Sequence, residues 1–289
     1  MKTSGPLPVG EEHLPALDPA RLNGALASGP GLWREVRVVE ETGSTNADLL
    51  AEARSGTPAG LVLVAEAQTA GRGRMGRRWI SPPRGTLTFS VLLRPAGVPA
   101  GRLGWLPLLA GVAAASALDR TAGLGARLKW PNDVLAGGAK VAGILAERWG
   151  EAIVLGMGIN VFQRRGELPV PTATSVLLAA PEAAADGADV RERLLIATLD
   201  ELARWYRAWL DQPRPGDADG CGLRAEYLRR SDTVGAEVTA MLPGGQSLTG
   251  TATGVDAAGR LEMRTPTGPV QVSAGDVVHL RKADTPAAR

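Results

Sequence analysis

Cysteine is nearly absent from this chain of 289 residues. Cys221 stands alone, so no internal disulfide and no cysteine-based zinc site can form. Only His13 and His279 are histidines, which excludes a histidine-rich metal site and leaves a His-dependent catalytic triad unsupported. Lysine occurs four times, at Lys2, Lys129, Lys140 and Lys282, although Lys and Arg together number 32. Asparagine also occurs four times, at Asn23, Asn46, Asn132 and Asn160. The formal charge is only +2, so no global nucleic-acid footprint is implied. The apolar run Leu103–Leu118 is too short to span a bilayer and reads as a buried helix. The first twenty residues carry Glu11, Glu12, Pro6, Pro8 and Pro15 and lack the apolar centre of a signal peptide, so a cytoplasmic setting is expected.

Against these scarcities, Gly71-Arg72-Gly73-Arg74-Met75-Gly76-Arg77-Arg78-Trp79 packs three glycines, four arginines and a tryptophan into nine residues. Glycines let main-chain N–H groups approach an anion. Arginine forks pair with phosphate or carboxylate oxygens, and a tryptophan offers a face to a purine. The spacing is not a Walker A loop, because no Gly-Lys-Ser/Thr follows. Pro82 and Pro83 argue against the helix start that a dinucleotide fingerprint needs.

Periodicity organises the rest. Residues 1–31, rich in Pro and Gly, read as a mobile or loosely attached arm. Val36 and Val38 begin a strand, and Thr42–Asn46 read as a turn and helix cap. Strands are expected at Leu61–Glu66 and Thr86–Arg94, and helices at about 101–121 and 189–210. Gly137-Gly138 marks a hairpin turn between Asp133 and Lys140. From about Ser231, short β runs alternate with Pro-Gly-Gly, Ala-Ala-Gly and Pro-Thr-Gly turns, the pattern of a small β-barrel. The division expected is an arm (1–31), a larger unit (32–230) and a small β unit (231–289).

Four motifs now stand in order: Ser44-Thr45-Asn46; Gln68 through Gly76 with Trp79; Lys129-Trp130-Pro131-Asn132-Asp133 followed by Lys140-Val141-Ala142-Gly143-Ile144-Leu145; and Gly156-Met157-Gly158-Ile159-Asn160. Together, over roughly residues 36–283, they resemble the biotin protein ligases. The resemblance implies an α+β fold: a central mixed sheet with flanking helices, like a class II synthetase, and a C-terminal SH3-like β-barrel. It implies ATP and biotin as substrates, Mg²⁺, and a biotin carboxyl carrier domain as acceptor. Carried over residue by residue, it places biotin among Ser44, Thr45, Asn46, Gln68, Gly71, Arg72, Gly73, Arg74, Lys140 and Gly143. The nucleotide falls to Arg74, Trp79, Lys129, Asn132 and Asn160. Lys140, Arg72 and Asp133 carry the chemistry, with Asp133 the candidate Mg²⁺ ligand.

Taken singly, these residues have plainer readings. Ser44 is a helix cap, Asn132 and Asp133 are turn formers, Lys140 is a surface lysine, and Gly156 and Gly158 mark close strand packing. Trp130 is either a wall for apolar rings or a core and turn element. A lipoate-type ligase and a biotin-responsive regulator are the rival functions. The Gly-Arg-Gly-Arg loop favours biotin over lipoate. A DNA-binding repressor needs about sixty helical residues ahead of the first catalytic strand, and only about thirty-five proline-broken ones precede it here. No DNA or membrane partner is expected, and the chain is expected to be a monomer or weak homodimer.

Overall fold

In the computed structural model the described residues are 14–279, apart from 15, 28, 30, 80–81, 186–187, 243–244 and 274–275. The chain opens with helix α1 (Pro19–Ala27), β1 (Glu35–Thr42), α2 (Thr45–Arg54), β2 (Leu61–Gln68) and β3 (Thr86–Leu93). Helix α3 (Trp105–Ala122) precedes β4 (Arg127–Lys129), β5 (Asp133–Ala136), β6 (Ala139–Trp149) and β7 (Ala152–Asn160). Four more helices follow: α4 (Val176–Ala179), α5 (Pro181–Ala184), α6 (Ala188–Leu210) and α7 (Leu223–Arg230). The chain ends in β8 (Glu237–Met241), β9 (Ser247–Val255), β10 (Leu261–Thr265), β11 (Gly268–Val272) and β12 (Asp276–His279).

Seven strands form one mixed sheet in the order β1-β2-β3-β7-β6-β5-β4. Only β1 and β2 pair in parallel; the other neighbours are antiparallel. The other five strands form an antiparallel sheet, β11-β10-β9-β8-β12. This is the mixed α+β architecture with a small C-terminal β unit that the family resemblance implies.

One face of the large sheet is covered by α3 and α6. Twelve of the eighteen residues of α3 are buried, including Trp105, Leu108, Leu109 and Val112. A helix apolar all round belongs in an interior, so its hydropathy reflects the core. On the opposite face, α2 sets Leu49 and Ala53 against Leu61, Leu63, Leu92 and Val154 in a second, smaller cluster.

The expected arm needs correction. Leu14, Leu17, Leu22 and Leu26 are buried in the main core. Leu22 and Leu26 sit four residues apart on α1, on one helical face. Asn23 ties α1 to β1 in both directions: its Nδ2 donates to Val36 O at 2.9 Å, and Val36 N donates to its Oδ1 at 2.9 Å. Leu17 N donates to Glu66 Oε1 at 2.6 Å. Glu66 in turn pairs with Arg191 of α6, and both side chains are buried. Residues 1–13 lie outside the described residues. In addition, Gly156–Asn160 form part of β7, and α4, α5 and α7 have no counterpart in the sequence reading.

Candidate active site

The ends of β2, β5, β6 and β7, the start of α2 and the Arg-rich loop surround a cleft of about 700 Å³. At one end sits the Ser-Thr-Asn turn. Ser44 caps α2, its side chain accepting from Ala47 N at 3.5 Å, so the plain helix-cap reading holds for this residue. Thr45 N donates to Gln68 Oε1 at 2.8 Å, and Thr45 Oγ1 lies 3.0 Å from the same oxygen. Parallel pairing of Thr42 with Gln68 brings these two motifs together.

The Arg-rich loop folds as a short hairpin. Arg72 bridges Arg78, Gly73 N donates to Arg77 O at 2.7 Å, and Trp79 N donates to Gly71 O at 2.9 Å. Its tip is a 3₁₀ turn, Arg74–Gly76, in which Met75 takes φ 55° and is 54% exposed. Gly71 lies behind the cleft: a β-carbon there would come 2.6 Å from Trp79 O and 2.7 Å from Gln68 Nε2. Arg72, Gly73, Arg74, Arg77 and Arg78 face the cleft.

Trp79 forms part of the wall. Its indole lies on the strand glycines: a β-carbon on Gly158 would overlap the ring, and one on Gly143 would come 3.0 Å from Cζ3. A β-carbon on Gly156 would likewise overlap Asn46 Oδ1. The glycines of the Gly156–Asn160 motif therefore make room for a tryptophan and an asparagine, which is more specific than close strand packing.

At the other end stands a carboxylate among cations. Asp133 pairs with Gly143 across β5 and β6, and a bulge precedes Leu135, which pairs with Lys140. Lys140 Nζ lies 2.5 Å from Asp133 Oδ1, with side-chain exposures of 30% and 21%. Burial pulls the Lys129 ammonium below its ordinary value; Asp133 opposes this, while Lys140 and Arg77 add to it. Burial also lowers the Arg74 guanidinium, again opposed by Asp133. Lys140 Nζ is 5.7 Å from the centre of the Trp79 ring. The hairpin turn holds this pair in place, and Gly137 and Gly138 take φ 56° and 79° as the turn requires.

Both asparagines named for the nucleotide brace the cleft. Asn132 Nδ2 donates to Ile144 O at 2.8 Å. Asn160 Nδ2 donates to Thr174 O at 2.9 Å, and its Oδ1 accepts from Gln163 Nε2 at 3.1 Å. Trp130 is a core element, 2% exposed, its Nε1 donating to Gly259 O at 3.1 Å. Among the described residues no three His, Cys, Asp or Glu side chains gather where a metal ion could sit.

Sequence reasoning missed one wall. Pro169, Val170, Thr172 and Ala173 line the cleft, and Lys140 N donates to Thr172 O at 2.8 Å while Thr174 N donates to Lys140 O at 2.8 Å. This loop fixes the Lys140 backbone, and its proline-rich sequence has no period that would signal it. Val278 and His279 of β12 also reach the cleft. The scarcity of histidine was the available signal for the second of these.

Comparison with known proteins bears on this geometry. Residues 38–162 match the biotin/lipoate A/B protein ligase family, and residues 233–280 match the biotin protein ligase C-terminal domain. The biotin–[acetyl-CoA-carboxylase] ligase of Mycobacterium tuberculosis is 46% identical over 274 residues, covering 92% of this chain and 97% of the relative. The chain belongs to the biotin protein ligase family. Another member, the biotin–[acetyl-CoA-carboxylase] ligase of Paracoccus denitrificans, is 33% identical across 83% of this chain and 98% of its own. The biotin protein ligase of Aquifex aeolicus, solved with biotin and ATP, superposes with a TM-score of 0.71 at 28% identity, covering 86% of this chain and all of that one. The matched family segments include all four motifs and the strands that carry them.

Proposed function

We propose that this chain activates biotin with ATP and transfers it to a protein lysine. In the first step a biotin carboxylate oxygen attacks the α-phosphorus, and pyrophosphate leaves. In the second, the lysine amine attacks the acyl carbon of biotinyl-5′-AMP, and AMP leaves. The observation that carries this reading is the layout of the cleft. A polar end at Thr45 and Gln68 suits the ureido group. The Trp79 indole beside Gly143 and Gly158 suits the apolar rings. Lys140, Arg74 and Lys129 around Asp133 suit two anions that must meet. The Mycobacterium and Paracoccus relatives, named for the acetyl-CoA-carboxylase carrier, support a biotin carboxyl carrier domain as the acceptor.

The reacting groups are both anionic and repel each other. Fixed cations offset that repulsion and stabilise charge at the phosphorus as the bond forms. Lys140 is a compact charge on a flexible stem, able to follow one oxygen through the step. Its Asp133 partner holds it at the site between turnovers. Lys129, its charge disfavoured by burial, gains from an incoming phosphate. Arg72 and Arg74 supply forked donors from the loop. Trp79 stands between the strand glycines and the loop, within reach of an adenine that enters beside Arg74.

Mg²⁺ fits only in company. Asp133 is a single carboxylate surrounded by cations, so it can offer one oxygen while phosphates and water supply the rest, as Mg²⁺ sites with nucleotides usually do. When bound, the ion would neutralise phosphate charge.

The test is pyrophosphate release with biotin and ATP, followed by the mass of a biotin carboxyl carrier domain. Lys140→Ala is expected to lose adenylate formation by at least about a hundredfold, on the scale of removing one charge-stabilising donor, with an unchanged melting temperature. Pyrophosphate release at the wild-type rate in the variant would remove Lys140 from the chemistry. A lipoyl rather than biotinyl mass shift would overturn the substrate.

A further inference from the structure

Behind the polar end of the cleft runs a chain of buried groups that reaches a carboxylate outside it. Asn46 is 4% exposed, and its Nδ2 lies 3.2 Å from Leu145 O and 2.8 Å from Glu147 Oε2 on β6. A carbonyl can only accept, so the amide nitrogen must face β6. Asn46 Oδ1 therefore faces the other way, to Ser90 Oγ at 2.6 Å. Ser90 is fully buried on β3, and its Oγ also lies 2.7 Å from Thr45 Oγ1. Thr45 Oγ1 lies 3.0 Å from Gln68 Oε1.

The protons in this chain do not balance. Three oxygen–oxygen contacts join Asn46, Ser90, Thr45 and Gln68. Only the two hydroxyls bring protons, because both amide oxygens are acceptors. One contact is therefore always without a proton. A ligand N–H directed at the Thr45 or Gln68 oxygen offsets the lone-pair repulsion that this leaves, whereas a ligand that offers only acceptors adds to it. If Asn46 were flipped, its NH₂ would face Ser90, and the chain would be satisfied without a ligand. The contact with Glu147 opposes that flip more closely than the one with Leu145 O does.

We propose that Glu147 is a positioning residue for specificity: it fixes the Asn46 amide so that the Ser90–Thr45–Gln68 chain is one donor short and selects a ligand carrying N–H, such as a cyclic urea. This rests on the biotin reading of the cleft and names a determinant of it that lies outside the cleft wall.

The experiment measures biotin affinity by calorimetry without ATP, so it does not depend on catalysis. Glu147 is only partly buried, so Glu147→Ala should fold. It is expected to weaken biotin by roughly tenfold and to leave the KM for ATP and kcat at saturating biotin unchanged. Glu147→Gln, which can still accept from Asn46, should recover most of the affinity. In a Ser90→Ala background, Glu147→Ala should have little further effect, because the two act through one network. Wild-type affinity in Glu147→Ala, or strictly additive effects in the double variant, would overturn the proposal. If the parent protein fails to bind biotin at all, the assignment of the cleft has failed instead.

Discussion

Two glycines show how single positions decide this cleft. Gly156 and Gly158 sit on β7, where side chains would ordinarily pack, yet each gives its space to a neighbour. Gly158→Ala would drive a methyl group into the Trp79 indole. Trp79 carries its backbone tie to Gly71 and part of the cleft wall with it, so the expected result is a loss of biotin affinity of tenfold or more. Overpacking a well-filled site typically costs about 1–3 kcal/mol, and a loop tryptophan can retreat more cheaply than a core residue. The melting temperature should therefore fall little. Biotin titration alongside thermal melting checks this: a large loss of stability with affinity intact would place the strain in the sheet instead. Gly156→Ala aims at Asn46 and should hit the polar end of the cleft in the same way.

Elements bring these residues together from distant parts of the chain. Three of the four motifs were readable because they set glycine at fixed spacing beside distinctive residues, and Ser44-Thr45-Asn46 because it holds one of four asparagines. Lys129, Lys140, Asn46, Asn132 and Asn160 are among the few of their kind in the chain, and all five line the cleft. What was not readable was contact between distant elements. Glu147 reads as an ordinary strand residue until β6 places it beside Asn46, 101 residues away. Asn23 is the fourth asparagine, and it serves structure by pairing with Val36. The proline and glycine content of the first thirty residues hid the Leu22–Leu26 face of α1. A testable consequence concerns the buried pair Glu66–Arg191, which joins β2 to α6 and receives Leu17 N. Breaking such a pair from one side leaves an uncompensated buried charge and typically costs about 3–5 kcal/mol. Arg191→Met should therefore lower the denaturation midpoint strongly. The double variant Arg191→Met, Glu66→Leu should recover part of the loss, less whatever Leu17 forfeits as its acceptor disappears. Equal destabilisation by the single and double variants would show that packing, not charge, sets the cost.

At the scale of the whole molecule, the two sheets meet through specific contacts rather than through a linker alone. Trp105 Nε1 donates to Asp256 O at 3.1 Å, and Trp130 Nε1 donates to Gly259 O at 3.1 Å. Trp130 N donates to Thr233 Oγ1 at 3.0 Å, and that hydroxyl also lies 3.1 Å from His279 Nε2. The small sheet thus grips the Lys129–Asp133 turn, and His279 stands where it meets the cleft. Burial holds the His279 imidazole below the ordinary value of 6.5; Lys129 adds to this, and Asp232 opposes it. The sign follows from proton uptake. Above about pH 6.5 the ring is neutral in both folded and unfolded chains, so it takes nothing from stability. As pH falls below that value the unfolded chain binds a proton that the folded chain resists, and stability drops until the folded ring also titrates. The Asp256 and Glu226 carboxylates are held below their usual range by arginine partners, Glu226 to about 2, so their loss comes at more acid pH. Melting temperature measured from pH 8 to 5.5 should therefore fall on the acid side, and His279→Gln, which keeps a partner for Thr233, should flatten that fall. An identical slope in the variant would remove His279 as its source. The same substitution tests whether the grip reaches the site: if it does, the KM for ATP should rise with acidification in the parent protein and stay level in the variant, while biotin affinity, set at the far end of the cleft, follows neither.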